Sequence, residues 1–245
     1  MRMRLTMVAA ALLSALTMSA QTADEIVARA LAARGGVEKI KAIETQRLTG
    51  RISLSPDAEG PFVVEIKRGN KMREEMTLGG KTNIRTMNGT TGWVVDGAEE
   101  PQPLSAGAVK NMAGGADIDG PLLDYKTKGN RVELQGKEKV EGRDAYKLMV
   151  TMADGQVRYE FIDCKTYLGT KWQGKISGGD KDFAVESYFH DYRKVEGVMF
   201  AFAIDSNPVG DTNKQKLVFD KVEVNILLDD ARFGKPTPAS AGDTK

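Results

Sequence analysis

The chain has 245 residues, of which 41% are hydrophobic and 28% are charged, and its formal net charge at pH 7 is +1. Lysine and arginine (35 residues) nearly balance aspartate and glutamate (34 residues), and the two signs are interspersed along the chain. Binding to nucleic acid or to an anionic bilayer requires a basic face. The composition therefore predicts a protein that binds no nucleic acid and has no electrostatic membrane anchor.

Residues 1–20 are typical of a secretory signal peptide. Two arginines precede an apolar run at residues 5–16, and the small residues Ser19 and Ala20 follow it. The run is too short to span a bilayer, and the segment has no cysteine for lipidation at a cleavage site. We therefore expect a periplasmic protein that is not an integral membrane protein, with a mature chain beginning near Gln21. A buried N-terminal helix is the alternative.

The mature chain begins with a helical pattern and then changes to a strand pattern. Apolar residues at helical spacing predict a helix that Asp24 caps and Gly35 ends. From Glu44 onward the apolar residues alternate, and turn residues return about every 8–12 positions. Several turns are Asn-Gly or Asp-Gly pairs, which favour two-residue hairpins.

This rhythm predicts an α+β, mainly β fold built on one antiparallel sheet of about 11 strands that is strongly curved toward a barrel. The strand candidates are residues 47–54, 62–68, 71–78, 81–87, 92–95, 131–135, 145–152, 157–163, 168–176, 183–192, 198–204 and 216–226. Residues 237–245 are rich in small and polar residues and are expected to form a flexible tail.

One segment, residues 101–125, interrupts the strand pattern. We interpret it as two short helices joined by a glycine hinge at Gly114 and Gly115. A long excursion of this kind is often functional, and we expect it to act as a movable lid. The apolar positions of this lid are Leu104, Met112, Leu122 and Leu123.

Signatures of enzymes are mostly missing from the sequence. His190 is the only histidine and Cys164 the only cysteine. No Gly-x-Ser-x-Gly motif, phosphate-binding loop or dinucleotide-binding fingerprint is present. The sequence thus predicts no catalytic residue, no metal site and no cofactor, with Cys164 as a packing residue.

Apolar side chains are more abundant than a single sheet face needs for its own packing. Because a large curved sheet encloses more space than its side chains fill, we expect an apolar cavity on the concave face. Its expected lining is Val64, Ile66, Met72, Met76, Ile84, Trp93, Tyr146, Leu148, Val150, Tyr159, Phe161, Trp172, Phe200 and Phe202. The alternative is that the helical segments fill this space completely.

Several segments of the mature chain carry a recognisable family pattern. They are residues 23–27, 35–36 and 40–45, Gly50, residues 191–198 and residues 229–236. On these segments the chain resembles the outer-membrane lipoprotein-sorting (LolA-like, LolA/LolB-type) carriers of the bacterial cell envelope. The resemblance implies a single unclosed half-barrel domain at residues 21–236, with helices over its concave face and acyl chains carried inside.

We therefore expect a non-enzymatic periplasmic carrier that binds the acyl chains of lipoproteins or lipids and contributes to outer-membrane biogenesis. Its expected partners are these acyl chains and the donor and acceptor proteins of the envelope. Burial gains about 0.8 kcal/mol per methylene, so the practical problem is release of the cargo, which a movable lid can address. The alternatives are a cell-envelope sensor that uses the same fold to bind a regulatory partner, and an envelope hydrolase in which His190 is catalytic.

Overall fold

A computed structural model describes residues 21–178 and 181–237 of the chain. The expected signal peptide lies outside the described residues, and so does the expected tail from residue 238 onward. Among the described residues, no helix combines the length and the apolar character needed to cross a membrane.

Two short helices, α1 (Ala23–Arg34) and α2 (Val37–Lys41), begin the described chain. The N-cap of α1 is Thr22 and not Asp24 as expected, because Thr22 and Glu25 form a reciprocal capping box. Gly35 ends α1 with a φ of 136°. A Cβ atom at Gly35 would lie 2.6 Å from the carbonyl oxygen of Gly197, so only glycine fits this close approach.

In the described part of the chain, thirteen strands form one antiparallel sheet, compared with the expected 11 or so. They are β1 (Thr45–Ser55), β2 (Ala58–Lys67), β3 (Lys71–Leu78), β4 (Lys81–Asn88), β5 (Thr91–Asp96), β6 (Gln102–Pro103), β7 (Arg131–Val140), β8 (Arg143–Thr151), β9 (Val157–Asp163), β10 (Gly169–Ser177), β11 (Asp182–Val195), β12 (Val198–Pro208) and β13 (Gln215–Val224). The strand candidates correspond to all of these except β6. Two residues are too few to show an alternation, so β6 leaves no periodic signal.

The sheet is open and strongly curved. Its strand order is β6-β5-β4-β3-β2-β1-β13-β12-β11-β10-β9-β8-β7, so β6 and β7 are its two edges. Helix α3 (Ala106–Ala116) packs against both β3 and β10, which lie six positions apart. In a flat sheet these strands would be about 29 Å apart, whereas 11 helical residues extend only about 16 Å. The expected unclosed half-barrel is therefore confirmed.

The segment at residues 101–125 contains one helix rather than two. Helix α3 runs without interruption through Gly114 and Gly115, and the residues after Asp117 form bends and turns. The expected glycine hinge is therefore wrong for this conformation. Although a helical glycine costs about 1 kcal/mol relative to alanine, packing of Met112 and Ala116 into the core offsets this cost.

Both faces of the sheet are partly covered. The helices cover the concave face, where the largest cluster of buried side chains lies. On the convex face, the chain after β13 forms a 3₁₀ turn (Asp230–Phe233) against β3 and β4. Arg232 of this turn forms an ion pair with the buried Glu65, Phe233 is fully buried, and the Thr86 hydroxyl donates a hydrogen bond to the Gly234 carbonyl.

Candidate functional site

The concave face is tightly packed at one end and open at the other. Around α1 and α2 its apolar side chains are fully buried, as at Ile40 and Leu123. Toward the β3–β4 and β10–β11 turns, the side chains on the same face are only partly buried. These residues, which we call the hollow wall, are Met76, Leu78, Trp172, Ile176, Phe189, Ile204 and Leu217.

Ten of the expected lining residues have side chains on the concave face. Val64, Ile66, Met72, Met76, Phe200 and Phe202 belong to the main cluster, Tyr146 and Leu148 pack against α1, and Val150 and Trp172 share this face by strand register. Of these, Met76 and Trp172 belong to the hollow wall, whereas the others lie in or beside the closed end of the core.

The other four expected lining residues, Ile84, Trp93, Tyr159 and Phe161, lie on the convex face and not on the concave face as expected. Trp93 pairs with Thr86 opposite the 3₁₀ turn, and Ile84 shares its face. Phe161 pairs with Lys171 on the face away from α1, together with Tyr159. Alternation does not distinguish the faces here, because both faces bury apolar residues.

Five members of the hollow wall were not among the expected lining residues: Leu78, Ile176, Phe189, Ile204 and Leu217. Leu78 and Ile176 continue the alternation of Met76 and Trp172 by two and four residues. This signal was available in the sequence, but it required the correct face to be known for each strand. Phe189 and Leu217 follow from pairing with Ile204, which only the sheet register reveals.

Helix α3 lies over the open end of the concave face. It is attached to Ser177, the last residue of β10. The Asn111 amide nitrogen donates to the Ser177 carbonyl at 2.7 Å, and the Ser177 N–H donates to the Asn111 amide oxygen at 3.0 Å. A Cβ atom at Gly107 would overlap the Ser177 Oγ atom. Helix α3 therefore closes the gap between the two halves of the sheet through a small, polar contact.

The expected lid residues divide into two groups. Met112 is buried and Leu104 partly buried, and both face β3 to β5 from the α3 region. Leu123 is fully buried in the main cluster, and Leu122 packs beside α1. Only the first group lies over the open end of the concave face.

Two arginines hold the chain that follows α3. Arg34 donates to the carbonyls of Ile118 and Asp119 at 2.7 and 2.9 Å. Arg68 pairs with the Asp119 carboxylate at 2.7 Å, and this hydrogen bond lowers the pKa of Asp119. These contacts fix the chain after α3 to α1 and to the turn that follows β2.

A cavity of about 170 Å³ lies beneath α3 on the concave face. Its lining comprises Met72, Glu74, Arg85, Leu104, Ala108, Asn111, Met112 and Gly115. The cavity combines thioether and aliphatic side chains with one carboxylate and one guanidinium group. It lies next to Val64, which pairs with Glu74 and belongs to the main core.

The concave face also contains a buried carboxylate. Glu160 is only 8% exposed, and burial raises its pKa. Arg158 Nη2 lies 2.6 Å from Glu160 Oε1, without the alignment of a hydrogen bond, and the Arg158 guanidinium stacks 4.8 Å above the Trp172 ring. A polar pair therefore borders the hollow wall beside Trp172.

A second cavity, of about 210 Å³, opens on the convex face beside Phe161 and Tyr188. Lys171 in its lining pairs with Glu186 at 2.5 Å, so this cation is already neutralised. His190 lies on the same strand as Tyr188, with its Nδ1 atom 3.6 Å from Glu141 Oε2. Cys164 is partly buried away from this cavity, and burial raises the pKa of its thiol.

An unclosed antiparallel half-barrel with helices over its concave face is the LolA-like fold. A LolA superfamily protein from Nitrosomonas europaea aligns with a TM-score of 0.53 over 88% of this chain and 99% of that chain, at 18% sequence identity. A domain named for outer membrane lipoprotein sorting, from Vibrio parahaemolyticus, aligns with a TM-score of 0.53 over 86% of this chain and 96% of that chain, at 13% identity.

The same architecture occurs in a DUF1329 family protein from Desulfovibrio piger, with a TM-score of 0.57, 14% identity, and coverage of 86% of this chain and 96% of that chain. No family model and no curated protein sequence matches the chain. At identities this low, the structural alignments establish the fold alone. It is the fold that the sequence resemblance implied.

Proposed function

We propose that the protein carries the acyl chains of lipids or lipoproteins in the hollow beneath α3. The observation that supports this most directly is the hollow wall, whose apolar side chains share a face with the core and yet remain partly exposed. Exposed apolar surface of this kind is costly in water and favours an apolar ligand. Burial of each methylene group there would contribute about 0.8 kcal/mol.

Binding of an acyl chain requires α3 to move. The cavity beneath α3 measures about 170 Å³, whereas pockets that enclose ligands are typically about 300–1,000 Å³. Since α3 is attached to β10 by the Asn111–Ser177 contact, its release would join this cavity to the hollow wall. In this proposal, the conformation in which α3 is attached to β10 is the closed form.

Export to the periplasm belongs to the same proposal, because an acyl carrier between membranes must work outside the cytoplasm. The signal-like pattern at residues 1–20 supports export. N-terminal sequencing of periplasmic material is expected to begin near Gln21. Recovery of the full-length chain in the cytoplasm would contradict export.

Binding is tested by titrating the protein with a dansyl-labelled fatty acid and displacing the probe with palmitate. Leu217 and Val218 are neighbours on β13 that point to opposite faces, since Leu217 pairs with Ile204 on the hollow wall and Val218 is 50% exposed on the convex face. We expect Leu217→Asp to weaken binding about tenfold or more, because a carboxylate there must be desolvated against the ligand.

The matched variant Val218→Asp adds the same charge one residue away and is expected to bind like the unmodified protein. Equal losses in both variants would indicate that the probe binds elsewhere. Failure of the probe to bind the unmodified protein would refute the carrier function.

A further inference from the structure

Glu74 is a carboxylate on the concave face of β3, in the region where we propose that acyl chains bind. It lies on β3 between Val64 of the core and Arg85 of β4, and its side chain lines the cavity beneath α3. Arg85 is directly opposite and also lines the cavity, but it is exposed, and among the described residues no ion pair within 4.0 Å joins it to Glu74. Among the described residues, Glu74 has no salt-bridge partner at all, in contrast to its neighbour Glu75, which pairs with Arg73 at 2.5 Å.

A partly buried carboxylate of this kind is costly unless a proton or a cation neutralises it. Burial raises the pKa of Glu74 and the charge of Arg85 opposes this effect. Arg85 is the one cation of the cavity lining, and it forms no ion pair with Glu74, whereas Met72 and Met112 supply flexible apolar surface in the same lining. A ligand that has acyl chains and a nearby cation would bury its acyl chains against the methionines and place its cation beside the Glu74 carboxylate.

We infer that Glu74 selects acylated cargo that carries a free primary ammonium group close to its acyl chains. This inference rests on the proposed carrier function and specifies its substrate class. The order of side chains along the sheet matches such a ligand: the core and hollow wall take the acyl chains, Glu74 accepts hydrogen bonds from the ammonium group, and the exposed Arg85 lies where the rest of the cargo leaves the cavity. A primary ammonium group has three N–H donors and no acceptor, which suits a lone carboxylate.

Two sources can supply this chemistry, namely the α-amine of a diacylated lipopeptide and the amine of a phosphoethanolamine headgroup. The first experiment compares a diacyl lipopeptide that has a free α-amine with the same lipopeptide after N-acetylation. The second compares short-chain phosphatidylethanolamine with phosphatidylglycerol. Affinities are measured by displacement of the dansyl fatty acid at constant pH.

We expect the amine-bearing member of at least one pair to bind about tenfold more tightly, the scale of a charge-assisted hydrogen bond. Glu74→Gln should abolish this preference by weakening the binding of the amine-bearing member. Glu75→Gln, which alters an ion-paired carboxylate one residue away, should preserve the preference. The pair that discriminates identifies the source of the ammonium group.

Equal affinities within both pairs in the unmodified protein would overturn the inference, as would a preference that survives in Glu74→Gln. Either result is compatible with tight binding of every lipid and so leaves the carrier function standing. Failure of all four ligands to displace the probe would instead count against the carrier function itself.

Discussion

Glu65 is the most deeply buried charged side chain among the ion pairs of the described residues. Its carboxylate is 2% exposed and bonds to Arg47 at 2.8 Å and to Arg232 at 2.7 Å. These bonds connect the sheet to the 3₁₀ turn on the convex face. Because hydrogen bonds to charged groups in a buried site contribute more than exposed ones, Glu65 is expected to stabilise the fold substantially.

Replacement of Glu65 by Gln should lower the free energy of unfolding by about 2 kcal/mol, since two charge-assisted bonds weaken in a buried site. Urea denaturation monitored by circular dichroism measures this change. Glu59→Gln on the same strand is the control, because the Arg51–Glu59 pair is about half exposed and should contribute at most about 1 kcal/mol. Similar losses in the two variants would show that burial of Glu65 has no special effect.

Asn111 is expected to hold α3 in the closed position. Asn111→Ala removes both hydrogen bonds to Ser177, and amide exchange in α3 should accelerate about tenfold while the strands stay protected. Lys110→Ala on the same helix removes only the half-exposed pair with Asp154 and should leave exchange unchanged. If α3 exchanges equally slowly in both variants, its apolar contacts alone keep it closed.

For single residues, the sequence reveals which strand positions alternate but not which of them lie on the concave face of the sheet. Met72 and Trp93 are both apolar strand residues in the expected lining, yet the first faces α3 and the second faces the C-terminal segment. The roles of Arg34 and Asn111 were also hidden, because their partners are backbone carbonyls and amides brought close only by the fold.

Among the structural elements, the 3₁₀ turn after β13 carries the clearest pH dependence. Hydrogen bonds from Lys67 and Lys71 lower the pKa of Asp230 to about 2. Because the folded-state pKa lies below the ordinary value of 3.8, the stabilisation is fully present above about pH 4 and is lost as the pH falls toward 2.

We therefore expect the 3₁₀ turn to loosen from the convex face between about pH 4 and pH 2. Trp93 reports this change through its fluorescence, because the Lys235 ammonium lies 5.1 Å from its ring; Trp172→Phe removes the other tryptophan. Asp230→Asn should shift the signal toward the loosened form already at pH 7 and flatten its acid transition. An identical transition in both proteins would assign it to other carboxylates.

The periodicity of apolar residues predicts some structural elements of this protein but not others. The hairpin rhythm predicted the long strands well, because each repeats its alternation several times. It failed for residues 101–125, where Gly114 and Gly115 suggested a break that helix packing overrides. Tertiary contacts of Met112 decide the helix there, and these depend on strands distant in sequence.

For the whole molecule, curvature depends on close contacts between strands that single-strand patterns do not show. A Cβ atom at Gly50 would overlap the Val218 carbonyl oxygen, beside a shift in the β1–β13 register, and one at Gly60 would overlap the Thr77 carbonyl oxygen. Glycine at these positions lets neighbouring strands approach and the sheet bend. The sheet thereby brings β3 and β10 within reach of a single short helix.

A larger side chain at the contact between α3 and β10 should separate the helix from the strand. A Cβ atom at Gly107 would overlap Ser177 Oγ and lie 2.7 Å from Ser177 Cβ, so Gly107→Val should push α3 away from β10 and hold the hollow open. We expect faster uptake of the dansyl fatty acid and faster amide exchange in α3, with unchanged protection of the strands.

Ser177→Gly removes both atoms that the new Cβ atom would meet, so the double variant Gly107→Val/Ser177→Gly should regain slow uptake and a protected α3. The backbone N–H and carbonyl of residue 177 remain in place to bond to Asn111. Stopped-flow fluorescence measures the uptake rates of the three proteins. Because the second substitution affects only this contact, rescue would identify separation of α3 from β10 as the opening step. Uptake that stays unchanged in Gly107→Val, despite faster exchange in α3, would show that ligands enter elsewhere along the sheet.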